Sequence, residues 1–112
     1  MKRIEAIIRP EKVSEVLKSV EKVGYSGVTV TETQGHGKQK GVTQSWRGEK
    51  YKLDLLPKVK IEIVAKDADA VGIAQAIAAI AKTGEIGDGK IFISPVEYCL
   101  RIRTGETGES AL

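Results

Sequence analysis

Apolar and polar positions alternate at the start of the chain. Ile4, Ala6 and Ile8 recur at every second residue among Arg3, Glu5 and Ile7, the period of a strand with one face on a core. Pro10 ends that run. From Glu11 onward Val13, Val16, Leu17, Val20 and Val23 return at helical spacing, and Gly24 follows as a C-terminal cap. Residues 27–33 set Val28 and Val30 against three threonines, a second strand by period and by β-branched content. After a long polar segment the same order repeats. Val59, Ile61 and Ile63 alternate with Lys60 and Glu62, and Asp67 is placed to cap a helix bearing Val71, Ala74, Ile77, Ala78 and Ile80. Gly84 closes that helix, and 91–93 begin a fourth strand. Pro95 suits an edge or a bulge, after which Leu100 and Ile102 alternate with Arg101 and Arg103 as a short final strand or extended tail within about 97–112. Strand, helix, strand, twice over, predicts one α+β domain over 1–112. Its topology is the ferredoxin-like double βαβ, with both helices on one face of the sheet.

The opposite sheet face would then carry Arg3, Glu5, Lys60, Glu62, Arg101 and Arg103, mixed in sign. Antiparallel sheets often present one face to water, so a solvated face is one reading. Sheets of a symmetric oligomer meeting through matched charges is the other. The connection from Gly35 to about Pro57 exceeds the roughly 12–15 residues usual for a structureless loop in a compact domain. Its Lys, Gln, Ser, Arg and Glu content cannot bury itself, yet Trp46, Tyr51, Leu53, Leu55 and Leu56 give it a means of docking. It reads as a mobile arm that orders on a ligand or partner.

Composition narrows the function classes. A net charge of +3 over 112 residues, with signs interspersed, disfavours a nucleic-acid stripe, and one tryptophan, three tyrosines and one phenylalanine leave few platforms for base stacking. The single cysteine, Cys99, excludes an intrachain disulfide framework, and the chain shows no signal-peptide pattern. A reducing, cytoplasmic setting is expected. No apolar run approaches the roughly 20 residues of a membrane span, so any membrane role would come through a partner.

Candidate chemistry concentrates in residues 83–93, TGEIGDGKIFI. Gly84 to Lys90 matches the first seven positions of a P-loop, but Ile91 stands where the magnesium-ligating hydroxyl belongs. The order is also reversed, helix to loop to strand. A second glycine cluster, GHGKQKG, spans 35–41. Gly37, Gly87 and Gly89 can expose backbone N–H groups as an anion nest, and Lys38, Lys40 and Lys90 add charge. Arg101 and Arg103, two apart in an extended segment, would point the same way and clamp adjacent phosphates. Each such pair about 4 Å apart is worth on the order of 4 kcal/mol gross at an effective dielectric near 20. One such cluster would read as turn glycines and solvated cations; the combination favours a polyphosphate. Catalysis has less to stand on. His36 reads as a surface-loop histidine and Cys99 as a small residue near a strand, with no triad spacing and no zinc cluster.

The segments RIEAIIRP, GVTVTE, GKQKG, LPKVKIEIV, TGEIGDGKIFISPV and RIRTGE together resemble the PII nitrogen-regulatory signal-transduction family over essentially the whole chain. The resemblance implies a homotrimer with ATP or ADP in each cleft between subunits. Gly37, Lys38, Gln39, Gly87, Asp88, Gly89 and Lys90 would line one wall, Arg101 and Arg103 would reach the phosphates, and Thr29, Glu62 and Val64 would surround the adenine. It further implies that Mg·ATP creates a site for 2-oxoglutarate at the base of the long arm, the T-loop, here about 37–55. Gln39 would ligate Mg2+, Lys58 would pair with the far carboxylate of the effector, and Lys40, Gly41 and Gly87 would complete the site. The arm would carry the signal to an ammonium transporter or a nitrogen-metabolism enzyme, which is also the implied route to the membrane.

The arm departs from the family pattern, reading Trp46, Arg47, Gly48, Glu49, Lys50, Tyr51. Tyr51 matches the position uridylylated in some relatives, whereas Glu49 replaces the serine phosphorylated in others. Trp46 and Arg47 would form the partner-binding tip. His36 stands where phenylalanine is common, and Lys38 where arginine is usual, keeping the charge without the bidentate fork. The resemblance implies a regulatory binding protein rather than an enzyme. A slow ATPase and a CutA-like trimeric protein of ferredoxin fold are the alternatives, the second of which would lack the paired glycine clusters, Gln39 and Lys58.

Overall fold

The computed structural model describes residues 1–25, 27–36, 43–46, 49–52 and 55–112, with 43–46 and 49–52 described by backbone alone. Strands β1 (Lys2–Ile8), β2 (Val28–Gly35), β5 (Leu56–Ala65) and β6 (Lys90–Pro95) form one antiparallel sheet in the order β2-β5-β1-β6. Helices α1 (Val13–Lys22) and α2 (Asp67–Ala81) make the two crossovers. This is the ferredoxin-like α+β arrangement. Strand parity sends Ile4, Ala6 and Ile8 of β1 and Val59, Ile61, Ile63 and Ala65 of β5 to one face. Val16 and Val20 of α1 and Ala70, Ile73, Ile77 and Ala81 of α2 close over them. Each fully buried isoleucine is worth roughly 1.5–3 kcal/mol, so register is held firmly: a slip by one residue would turn the whole stripe to solvent.

The ends of the elements differ in detail from the sequence reading. Pro10 opens a short 3-10 turn, Pro10–Lys12, ahead of α1. Gly24, φ +92°, reverses the chain after Val23, as expected of a C-terminal glycine. Asp67 does not cap α2. It is the first helical residue, after Lys66 in extended conformation, and its carboxylate accepts from the Met1 ammonium at 2.7 Å. The acid therefore serves the helix dipole and the amine rather than an orphan amide.

On the open face Arg3 meets Glu62 at 3.0 Å and Lys60 meets Glu5 at 3.6 Å. Glu5 and Glu62 stand directly opposite each other in the ladder, a like-charge placement that these two cations offset. Arg101 and Arg103 lie in no strand of that sheet, which corrects the expectation that a final strand would carry them on its open face. Nor do residues 97–112 continue as one extended tail: Leu100 bridges Thr107, and a 3-10 turn, Gly108–Ala111, ends the chain. Gly105 N–H donates to the Arg101 carbonyl at 2.8 Å, and Arg101 N–H to the Glu106 carbonyl at 2.9 Å. Positive φ at Gly105 and Gly108 permits the reversals. Within the long connection, read from sequence as an arm without strands of its own, β3 (Thr43–Trp46) pairs antiparallel with β4 (Glu49–Lys52).

Candidate functional site

Two clefts open at opposite ends of the β2–β5 pair. The first, about 700 Å³, includes Thr29, Glu62 and Val64 in its lining, along with Tyr25, Lys66 and Leu112. Thr29 and Glu62 are direct partners in the ladder, and Val64, two residues beyond Glu62, has the same parity. Tyr25 ties its floor together, donating to Asp69 at 2.6 Å and accepting the Lys66 amide at 3.2 Å. Desolvation, then that bond to Asp69, raises the Tyr25 pKa, so the phenol stays protonated as a donor. The second cleft, about 580 Å³, gathers Gly35, Lys58, Gly87, Gly89, Lys90 and Phe92, with His36 at its margin. Gly35 lies six residues beyond Thr29 on β2, so the clefts are roughly 20 Å apart at about 3.3 Å per residue.

The glycine loop of the second cleft is held by its own chain. Asp88 accepts the Thr83 and Gly84 amides at 2.8 and 2.9 Å, the Thr83 hydroxyl, and Arg9 Nε at 3.0 Å. Those bonds, led by the Thr83 hydroxyl, hold the carboxyl well below the usual carboxylate range. Arg9 offsets the charge of that carboxylate within the loop. The other arm of Arg9 donates from Nη2 to the Ile86 carbonyl at 2.9 Å, and Lys58 Nζ reaches the Gly87 carbonyl at 2.6 Å. Lys58 is buried, and desolvation followed by the field of Arg9 lowers its pKa. Gly89, φ +99°, passes so close to β1 that a Cβ there would lie 1.7 Å from the Ile7 carbonyl oxygen.

The expected site residues thus fall into three groups. Gly87, Gly89, Lys90 and Lys58 share the second cleft, with Asp88 behind it as a loop staple. Thr29, Glu62 and Val64 share the first. Arg101 sits near the first cleft too, donating to the carbonyl of Leu112, a lining residue, at 3.0 Å and pairing with Glu106 at 3.5 Å. With Arg103 it lies on a turn rather than a strand, so the period-two argument for both side chains pointing the same way does not apply. Gly37, Lys38, Gln39, Lys40, Gly41 and Arg47 lie outside the described residues, while Trp46 and Tyr51 are placed by backbone in β3 and β4. Arg9 is not among the expected site residues, and Thr83 enters only as the first residue of the 83–93 stretch. Periodicity carries no mark of them, because their importance comes from contact with Asp88.

The nitrogen regulatory protein P-II family model matches residues 1–106. Nitrogen regulatory protein P-II 2 of Methanothermobacter thermautotrophicus is 55% identical over 112 residues, covering 100% of this chain and 97% of the relative. The P-II proteins of Rhizobium meliloti and Cereibacter sphaeroides are each 54% identical over the full length of both chains. The chain belongs to the P-II family. Its relatives are named nitrogen regulatory proteins, and the ferredoxin-like α+β sheet is consistent with that family. Among the described residues no helix is long and apolar enough to cross a membrane.

Proposed function

We propose that this P-II protein senses adenylate state by binding ATP or ADP between the subunits of a homotrimer, and 2-oxoglutarate through Mg·ATP. It would report both through the T-loop to an ammonium transporter or a nitrogen-metabolism enzyme in the cytoplasm. The observation that carries the reading is the partition of the site. Thr29, Glu62 and Val64 line one cleft and Gly87, Gly89 and Lys90 the other, roughly 20 Å apart along β2, too far for one nucleotide to bridge within a chain. Juxtaposing the first cleft of one subunit with the second cleft of its neighbour makes one site of both. Arg101 beside the first cleft would then approach the phosphates from across the interface. Ile102 is 95% exposed and Tyr98 68%, apolar surface of the kind that a subunit contact covers. Within the site the glycine loop supplies amides and Lys90 supplies charge for the phosphates, and Lys58 and Gln39 serve the effector and its metal.

Calorimetric titration with ATP and with ADP tests the nucleotide assignment. Lys90→Ala removes a charge-assisted contact worth roughly 1.5–3 kcal/mol, so both affinities are expected to fall about tenfold or more, with assembly retained. Absence of saturable nucleotide binding by the wild type would overturn the reading.

A further inference from the structure

Arg9 is not among the residues that line either cleft, yet it holds the loop that forms one wall of the second. Its guanidinium spans two points of that loop, the Asp88 carboxylate and the Ile86 carbonyl, at 3.0 and 2.9 Å. The Arg9 side chain is 15% exposed and that of Asp88 24%, so the pair is largely shielded from water. Burial of this degree favours a fixed geometry over the loose pairing typical of a surface bridge. Asp88 in turn gathers the amides of Thr83 and Gly84 and the Thr83 hydroxyl, so one contact joins both ends of the glycine loop to the end of β1. The peptide group is planar and trans, so its C=O and N–H point in opposite directions. With the Ile86 carbonyl turned to Arg9, the Gly87 N–H is turned away from Arg9.

From this geometry we infer that Arg9 and Asp88 act as a single positioning unit for nucleotide binding: they touch no ligand, and they set the orientation of the Gly87 amide and the path of the chain into Lys90. The inference rests on the nucleotide reading above and adds to it a residue pair that acts from behind the loop. It also assigns Asp88 a different part from the one its position in the glycine cluster implies, a staple within the chain instead of a wall facing the ligand.

The test is calorimetric binding of ATP and of ADP to wild type, Arg9→Ala, Arg9→Lys, Asp88→Ala and the double variant Arg9→Ala/Asp88→Ala. All are measured well below each variant's thermal midpoint, so that loss of fold is not mistaken for loss of affinity. Arg9→Ala is expected to weaken both nucleotides about fivefold. Arg9→Lys keeps the ion pair and loses the second arm, so it should recover part of that loss. The double variant should bind no worse than the weaker single one, because the two side chains form one device. Arg9→Ala or Arg9→Lys with wild-type affinity for both nucleotides would overturn the inference while leaving the nucleotide site standing. Losses that add in the double variant would overturn the single-unit assignment. A wild type that binds neither nucleotide would remove the site and the inference together. Should Arg9→Ala not fold, the Arg9→Lys comparison and Thr83→Val, which loses one Asp88 donor, carry the same test at smaller amplitude.

Discussion

Gly89→Ala should be among the most damaging single substitutions in the glycine loop, costing on the order of 3 kcal/mol or more and removing nucleotide binding with it. Two penalties coincide there. The residue has φ +99°, a conformation that disfavours any side chain by roughly 1–2 kcal/mol. In addition its Cβ would stand 1.7 Å from the Ile7 oxygen and 2.8 Å from the Ile7 carbon, both backbone atoms that no rotamer change can move. Relief requires lifting the loop from β1, which breaks the pairing of Ile7 with Lys90 and displaces the lysine proposed to contact phosphate. Gly84→Ala separates the two penalties. Gly84 also has positive φ, +89°, but a Cβ there meets nothing within 4 Å, so only the conformational cost of roughly 1–2 kcal/mol applies. Urea unfolding of the two variants, read as a difference in midpoint at constant slope, checks this. Equal losses would mean that the close approach to Ile7 relaxes without cost.

The contrast between these glycines shows where sequence reading reaches its limit. The alternation in β1 and β5 and the 3.6-residue spacing of α1 and α2 are written in single residues, because each reports its own burial. From them the repeated strand-helix-strand order, the buried stripe of the sheet and the α1 face follow. On α2 the buried face is Ala70, Ile73, Ile77 and Ala81, so that of the positions expected there Ile77 alone is buried and Val71 is exposed. The glycine cluster at 83–93 is legible as a loop, but nothing local distinguishes Gly89, which a backbone neighbour crowds, from Gly84, which faces open space. Arg9 is the stronger case. Its partner Asp88 lies 79 positions away, and only the antiparallel β1–β6 pairing brings the two together. The alternation of Arg101 with Ile102 and Arg103 misled for a related reason. Period two is a property of extended chain, and the glycines at 105 and 108, with Arg101 bonded to both Gly105 and Glu106, fold that stretch into a turn before any ladder can form. Asp67 looked like a cap because acids favour that end of a helix, and the structure gives it the neighbouring role, paired to an ammonium one position further in. Thr29, Glu62 and Val64 were named through resemblance alone; the ladder then explains their company, since a cross-strand pair and its same-parity neighbour must share a surface.

Binding of 2-oxoglutarate should be detectable only with Mg·ATP present, and absent with Mg·ADP or without nucleotide. On the proposed reading the keto and carboxylate oxygens of the effector need a metal already held by the triphosphate and Gln39, and ADP cannot hold it in that place. Reciprocity then requires 2-oxoglutarate to tighten ATP by the factor by which ATP tightens 2-oxoglutarate, typically about 5- to 150-fold. Lys58 is the residue through which this coupling can be cut, and its place in the structure refines the expectation. Its ammonium already bonds the Gly87 carbonyl at 2.6 Å, and burial together with the field of Arg9 lowers its pKa. An incoming dicarboxylate supplies the negative charge that this buried cation gains most from, and so competes well for it. Lys58→Ala should therefore abolish the 2-oxoglutarate response. It should also weaken ATP a few-fold, because the Gly87 carbonyl loses a tether while Arg9 still holds the Ile86 carbonyl one residue before it. Titrations of wild type and Lys58→Ala under apo, Mg·ADP and Mg·ATP conditions read both effects at once. Equal 2-oxoglutarate affinity in all three wild-type titrations would show that the effector site does not depend on the nucleotide's metal, and a full response in Lys58→Ala would place the effector's carboxylate away from β5.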